Sequence, residues 1–443
     1  MPQTDLVEMK VCLIAHGPLL LGSGLPIGNV RSSEEFVAGS VWRGAVARVI
    51  LERLGKRNYD GRSNPDPTVP ADFTTVFGGR SPARFGFLYP VVGWQEMPLA
   101  HVTAPLPLTA HTCKRYPGFN KPRGHGVYDS LLNRLCHDEN PEFVGTALKQ
   151  CPECDERLER IRGYISTLPA TIVYRQEKLG TRSLVRVGIN RYTETAQDQM
   201  LFVQDVLDPA HDDAGMPKPL AFVGRWRGSA QQAALLQELL KTYALPTSQG
   251  GFHLHIGSAR SRGLGSVELQ MSAPHQLLAT QQAANVAERV DRVTDLVSSG
   301  SGQRNYSYAT LTLRTPLQMW DEQGVPTTQL TEALLRAYQP IMPSALYILH
   351  KASLLEQEQC SGWSAAWGLP KPVAPVLAAG SVFVVRVPQH QRQPFLDFLT
   401  AIEQDGLGER RAEGWGEVSI CDPFHVVHDE RNTQTKERGS DNQ

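Results

Sequence analysis

"GSARSRGLGSVEL", residues 257–269, and "GERRAEGWGEVSI", residues 408–420, decide how this chain is read. Laid together without a gap, they match at Gly257/Gly408, Arg260/Arg411, Gly263/Gly414, Gly265/Gly416 and Val267/Val418. Glycines at alternating positions let a backbone take positive φ and approach another group with no side chain between them. The flanking Arg260, Arg262, Arg410 and Arg411 can pair with phosphates, and the amides of such a nest favour anions. A single copy is most simply a glycine hairpin with solvated arginines. Two copies suggest a repeated device, for which an RNA backbone is the natural ligand.

Working outward, each copy follows a similar order of elements. "EMKVCLIAH" (8–16) reads as an opening strand, "FVAGSVWRGAVARVILERLG" as a helix capped by Ser40, and "RFGFLYPVV" (84–92) as a strand. "ATIVYR" and "MLFVQDVL" are further strands. The helix 229–244 and the strand "GFHLHIG" then lead into the first loop, and "GSVELQM" leaves it. In the second half "YSYATLTLRTPL" opens, "TQLTEALLRAYQPIMPSALYIL" is helical, "SVFVVRV" is a strand, "QPFLDFLTAIEQ" a helix and "GEVSI" the last strand. Strand, helix, strands, helix, loop, strand is the order of a ferredoxin-like unit. The expected fold class is therefore α+β, with two tandem ferredoxin-like, RRM-like domains. The N-terminal domain spans 1–270, with a Cys-rich insertion at about 105–165 and a basic hairpin at about 171–207. A helical connector and "SSGSGQ" linker occupy 271–302, the C-terminal domain spans 303–424, and 425–443 is expected to be a disordered tail.

A chain of 443 residues is too long for one ordinary core. Its net charge is only −1, so a nucleic-acid site has to be a local patch. The N-terminus has no export pattern, and the apolar stretch 11–28 is broken by Gly17, Pro18, Gly22, Gly24 and Pro26. A cytoplasmic protein with no membrane span is expected, its seven cysteines reduced. Cys151 and Cys154 in "CPEC" form a knuckle that can grip one structural zinc. Cys113 is the expected third ligand. The fourth is Cys136 or His125, with Cys136 preferred on chemical grounds; Cys12, Cys360 and Cys421 read as core residues.

"FVAGSVWRGAVARVILERLG" resembles the "PGS-x-x-RGA-x-R" helix start of CRISPR-associated RAMP proteins, and both loops resemble that family's glycine-rich signature. "VFGGRSPARFGFLYP" and "RVGINRYTETAQDQMLFVQDVL" are similar to two further RAMP segments. Two such units with a Cys-rich insertion and the ending "GLGERRAEGWGEV" most resemble the large RAMP subunit of type III-D effector complexes. The resemblance implies a non-catalytic subunit that holds guide RNA (crRNA) at its 5′ end. It would contact a large polymerase-like subunit and backbone RAMP subunits, and meet target RNA indirectly.

Backbone RAMP subunits cut target RNA with an aspartate in the loop before the "PGS" helix. Here "LLGSGLPIGNVRSSEEFVAGS" has none, and Glu34 and Glu35 read as a dipole-complementing pair. Other relatives use a histidine as general acid or base, so the alternative is a metal-independent guide-processing endoribonuclease using His16; His253 and His255 share a strand face. The RNA-binding candidates in the two loops are Gly257, Arg260, Arg262, Gly263 and Gly265, and Gly408, Arg410, Arg411, Gly414, Trp415 and Gly416. The remaining candidates are Arg175, Lys178, Arg182, Arg186 and Arg191 in the basic hairpin, with Arg43, Arg48, Arg225 and Arg227 extending the path. Trp226 and Trp415 are candidate base-stacking platforms.

Overall fold

The computed structural model describes residues 6–22, 29–56, 59, 68–79, 81–94, 97–119, 124–140, 147–168, 171–209, 218–299, 305–364 and 369–432. Leu6–Ala15 is the axis of the first sheet, lying antiparallel between Leu220–Ser229 and Ser266–Met271, with Arg84–Val92 beyond Leu220–Ser229. Phe252–His255 extends the other edge, and His275–Gln276 pairs with the start of Leu6–Ala15. Alternation along Leu6–Ala15 explains its two-sided burial. Val7, Met9, Val11 and Leu13 join the helix-covered core, whereas Cys12 and Ile14 meet Val91, Ala221 and Val223 on the opposite face.

Helices Gly39–Arg53, Ala71–Phe77 and Ala230–Tyr243 flank this sheet. The last is started by a reciprocal capping box between Ser229 and Gln232, and it buries Ala233, Leu236, Leu239 and Leu240 at helical spacing. Helix Gly39–Arg53 differs from expectation: its N-cap is Ala38, with no side-chain cap, and Ser40 lies inside the first turn. Close packing fixes this start, because a Cβ on Gly39 would overlap the carbonyl oxygens of Phe85 and Glu413.

The second sheet repeats the strand order. Tyr306–Leu313 lies between Val382–Pro388 and Val418–Ile420, with Tyr347–Ile348 beyond Val382–Pro388. Helix Arg392–Asp405 buries Phe395, Leu396, Phe398, Leu399 and Ile402 against it, and the connector forms helix Ala279–Ser298. Only Glu332–Tyr338 of the expected helical stretch 328–349 is α-helical. Pro340 and Pro343, which lack a backbone N–H, follow it and lead to the short strand Tyr347–Ile348. Each half also sends out a hairpin before its third strand: Thr181–Ile189 with Ala196–Leu207, and Gln357–Ser364 with Leu369–Leu377. Both are rooted alike, through the bridges Leu19↔Leu207 and Leu317↔Leu377.

Three further expectations change. The first hairpin begins at Thr181, because Thr171–Glu177 pairs instead with Tyr164–Leu168. The insertion is not irregular: Ala110–Cys113 pairs with Val127–Asp129 and Leu158–Arg160, and helix Leu131–Glu139 puts Leu131, Leu132 and Leu135 into the second core. Nor does order stop at 425, since Pro423–Val427 is helical and His425, Asp429 and Glu430 are buried. Residues 300–303 of the linker and 433–443 of the tail lie outside the described residues. Among the described residues no helix is long and apolar enough to cross a membrane.

Candidate functional site

The two glycine–arginine loops share one backbone plan. Ala259 and Arg410 both take φ +56 and ψ +28, each opens a 3-10 turn (Arg260–Arg262 and Arg411–Glu413), and Gly263 and Gly414 close these at φ +82 and +80. Equivalent bonds seat each loop on the segment after its central strand. Gly265 N–H donates to Pro18 O and Gly416 N–H to Pro316 O, both at 3.0 Å. Ser258 N–H donates to Leu20 O at 2.8 Å, and Glu409 N–H to Gln318 O at 3.0 Å. Glycine is required at 257, 265, 408 and 416 because each combines positive φ with a carbonyl oxygen where a Cβ would stand.

The expectation that all these glycines approach RNA is corrected for those that are buried. Gly408 is buried, and its close neighbours are the Gln318 carbonyl oxygen and the Leu317 side chain, 2.3 and 2.6 Å from where a Cβ would be. Gly416 is buried against Leu407 O, Gly414 against Phe85 O and Gly86, and Gly265 against Ile256 O. At these four positions the missing side chain admits the protein's own backbone rather than a phosphate. Gly257 is half-buried, with Leu20 O in the corresponding place, which leaves Gly263 as the exposed glycine of the set.

The surroundings of the two loops diverge. In the first loop Ser261, Arg262 and Gly263 are exposed, and Arg260 is half-buried. Burial and the neighbouring Arg48 guanidinium push the Arg260 pKa down, against the opposing pull of Glu52. Neither Arg260 nor Arg262 forms an ion pair among the described residues. In the second loop only Glu409 and Arg411 are exposed. Arg410 pairs with Glu413 through its Nε at 3.0 Å and lies over the Trp415 ring at 4.2 Å, and Lys371 Nζ approaches Glu413 at 3.3 Å. Trp415 is buried with Phe87, Tyr89 and Val376, and Trp226 is fully buried, so neither is an exposed stacking platform.

Other expected contacts are committed elsewhere. Arg43 donates to Phe77 O at the end of a short helix and lies 5.8 Å from the Phe77 ring centroid. Arg225 pairs with Glu417 at 2.7 Å and Arg227 with Glu8 at 2.8 Å, which turns both toward carboxylates rather than along an RNA path. Arg175 bonds Glu177 at 3.0 Å and Val92 O at 2.9 Å, and Arg182 pairs with Asp208 at 2.9 Å while half-exposed. Lys178 and Arg191 are exposed and Arg186 is half-buried. The hairpin also exposes Val185, Val187, Ile189 and Leu201.

His16 has a partner the sequence did not reveal. Its Nε2 lies 3.3 Å from Oε2 of Glu268, a residue paired in register with both Ile14 and His253. Burial works to raise the Glu268 pKa, but hydrogen bonds from Gln270, Thr247 and His16 outweigh it and hold the carboxyl below its usual range. The signal was available as strand register: a lone acid in "VELQM" lands on the face of "HLH" and His16. The His253 ring lies 6.3 Å from that of His16.

The cysteine cluster comprises Cys113, His125, Cys151 and Cys154, with one ligand atom from each, all within 4.8 Å of one another. Cys113 Sγ lies 3.6 Å from Cys154 Sγ, and Cys151 Sγ lies 3.4 Å from His125 Nδ1. Burial opposes ionisation of Cys113, yet the Tyr116 amide and the Cys154 thiol bring its pKa below the ordinary thiol value. The preference for Cys136 is corrected. Cys136 is on the buried face of helix Leu131–Glu139, 3.1 Å from Arg431 Nη1, and takes no place in the cluster.

Comparison with known proteins now gives the class and then the family. This is a CRISPR-associated protein. The family model described as "CRISPR-associated protein (Cas_Cmr3)" matches residues 159–422, more than half of the chain, and the chain belongs to that family. No curated protein matches it. Among solved structures, a chain of the type III-B Cmr-beta complex bound to cognate target RNA and AMPPnP (state 1) is similar at 11% identity and TM-score 0.38, over 85% of this chain and 86% of that one. A chain of the same complex bound to cognate target RNA gives 12%, 0.37, 85% and 86%, and one of its apo state 12%, 0.27, 60% and 96%.

Proposed function

We propose that this chain is a non-catalytic, cytoplasmic guide-RNA-binding subunit of a type III-D-like effector, built on two ferredoxin-like units with a structural zinc in its insertion. The first glycine–arginine loop is its phosphate contact. The observation that carries this reading is the turn Arg260–Arg262, half-buried at Arg260 and exposed at Ser261 and Arg262, whose two guanidinium groups form no ion pair among the described residues, the first of them beside Arg48. The nearby acid, Glu52, is already paired with Arg48 at 2.6 Å. Like charges gathered in this way favour an anionic partner. The III-D reading rests on the two loops combined with the Cys-rich insertion, and Arg182 and Arg191 on the hairpin, with Lys178 just before it, would continue the RNA path. Contacts with a polymerase-like subunit and backbone RAMP subunits belong to the same reading.

Titration of guide RNA at several salt concentrations tests it. Arg260→Ala with Arg262→Ala should weaken binding across sequences and flatten the log–log salt slope by about 0.7 per lost phosphate contact. Unchanged affinity and slope in a folded double variant would reject the loop as an RNA contact. Alanine at Glu34 and Glu35 should leave the cutting pattern of an assembled effector intact; the loss of one cut would make an acid there catalytic.

The His16–Glu268 pair favours a second reading, a metal-independent guide-processing endoribonuclease, because a buried carboxylate orients an exposed imidazole. Specific cleavage of a repeat RNA that disappears in His16→Ala would select it over the first.

A further inference from the structure

We propose that Cys113, His125, Cys151 and Cys154 close around one zinc ion, and that this site holds the seat on which the C-terminal segment 422–432 is clasped. The inference stands whether or not the chain holds RNA.

Two edges of the cluster match those of a zinc tetrahedron in size, and all four ligand atoms lie within 4.8 Å of one another. Zinc bonds of about 2.3 Å to sulfur and about 2.0 Å to nitrogen give edges of about 3.8 Å between thiolates and about 3.5 Å from thiolate to imidazole. The Cys113–Cys154 and Cys151–His125 separations of 3.6 and 3.4 Å are close to these. They far exceed the sulfur–sulfur bond of about 2.05 Å in a disulfide. Three soft thiolates with one imidazole suit zinc, whereas calcium and magnesium take oxygen ligands. With all four positions filled by protein, no site is open for a reactive water, so the ion is structural.

The local chain is also built to need it. The strands that carry or adjoin the ligands, Ala110–Cys113, Val127–Asp129 and Leu158–Arg160, have only four, three and three residues. Sheets this short are marginal without a staple. The Tyr116 ring packs 4.4 Å from that of His125, and Tyr116 N–H donates to Cys113 Sγ at 3.4 Å, so both halves of the site are oriented by one residue.

Four residues after His125, Asp129 receives the C-terminal segment. Asp129 N–H donates to His428 O at 2.6 Å, and Glu430 N–H donates to Asp129 O at 3.1 Å. The buried His425 imidazole lies 3.2 Å from Asp129 Oδ2 and 2.8 Å from Thr312 Oγ1 on the central strand of the second sheet. Phe424 completes a small buried core whose other members are Ala104, Leu106, Ala110, Val127, Ile161 and Ile165. Metal at His125 thus fixes the strand whose far end binds the segment, and the segment binds the second sheet in turn.

The test uses the full chain purified without chelator. Elemental analysis should find about one zinc per chain, retained in Cys136→Ser and lost in Cys151→Ser with Cys154→Ser. Finding no metal, or a dependence on Cys136, overturns the site. Hydrogen exchange on the wild-type protein before and after chelation then tests the clasp without relying on a variant that fails to fold. Amides at 127–133 and 423–430 should lose protection together, while Val382–Pro388 stays protected. Zinc removal that leaves 423–430 protected overturns the clasp and leaves the zinc site standing. Guide-RNA titration of the same samples reports separately on the RNA reading.

Discussion

Gly263 and Gly414 hold the same place in two loops of the same shape, but a Cβ added at Gly263 would meet nothing within 4 Å, whereas one at Gly414 would lie 2.5 Å from Phe85 O and 2.7 Å from Gly86 Cα. The first loop presents its turn to solvent; the second has pushed the same turn against the strand Arg84–Val92 and the start of helix Gly39–Arg53. Side chains follow suit, with the second loop's Arg410 neutralised by Glu413 and covering Trp415. One backbone device therefore serves as a surface in one half and as a joint between halves in the other. The joint is polar as well as packed, with Arg84–Asp405 at 2.8 Å and Arg225–Glu417 at 2.7 Å running across it.

The largest way to break this contrast is through the glycines. Gly263→Ala meets only the cost of a left-handed backbone, about 1–2 kcal/mol. Gly414→Ala adds overpacking against backbone that cannot move aside, and should cost about 2–5 kcal/mol in total. Denaturant midpoints of the two variants check this, and equal losses would mean that the second loop is not wedged between the halves. A smaller difference is expected at the arginines. Arg410→Ala removes a part-buried ion pair and a cation–π contact and should cost about 1–2 kcal/mol. Arg262→Ala, on the open surface, should stay within about 0.5 kcal/mol. A loss at Arg262 as large as that at Arg410 would show that the first loop also has a packing role.

The repeated loop was legible because its carriers are local: positive-φ glycines at fixed offsets, and apolar strands on either side of them. The environment of each loop was not, because it depends on contacts such as that between Gly39 and Glu413, hundreds of residues apart. Gly408 shows the limit of the motif: its spacing marks a close approach, but only the fold reveals that the approaching group is Gln318 O. The metal cluster divides the same way. "CPEC" declares itself by spacing, whereas His125 reaches the thiols only through the pairing of Ala110–Cys113 with Val127–Asp129. Cys136 could have been set aside from sequence, since "LLNRLC" places Leu131, Leu132, Leu135 and Cys136 on one helical face, all of them buried. The C-terminal segment escaped notice because its one fully buried apolar side chain is Phe424, and its other anchoring contacts are polar and long-range.

A last contrast separates the loops by pH. Around the second loop, burial works to raise the pKa of Glu413, but Arg410 and Lys371 outweigh it; Arg225 and Arg227 do the same for Glu417, and both carboxyls fall below the ordinary glutamate value. A depressed carboxyl binds fewer protons folded than unfolded, so its contribution is present above the unfolded value of about 4.3 and is lost as pH falls through the folded one. No acid lies within the turn Arg260–Arg262 of the first loop, so the turn itself adds no such pH dependence there. Glu413→Gln should therefore be less stable than wild type by about 1 kcal/mol at pH 6, the size of a partly exposed pair. That gap should narrow as the pH is lowered past about 4, because the wild-type carboxylate is then itself being neutralised. Denaturant titrations of both proteins between about pH 3 and 6, a range that brackets the glutamate value, measure it. A gap that stays constant over this range would mean that Glu413 acts through its shape and hydrogen bonds rather than its charge, and the second loop would then be a packed joint with no electrostatic part.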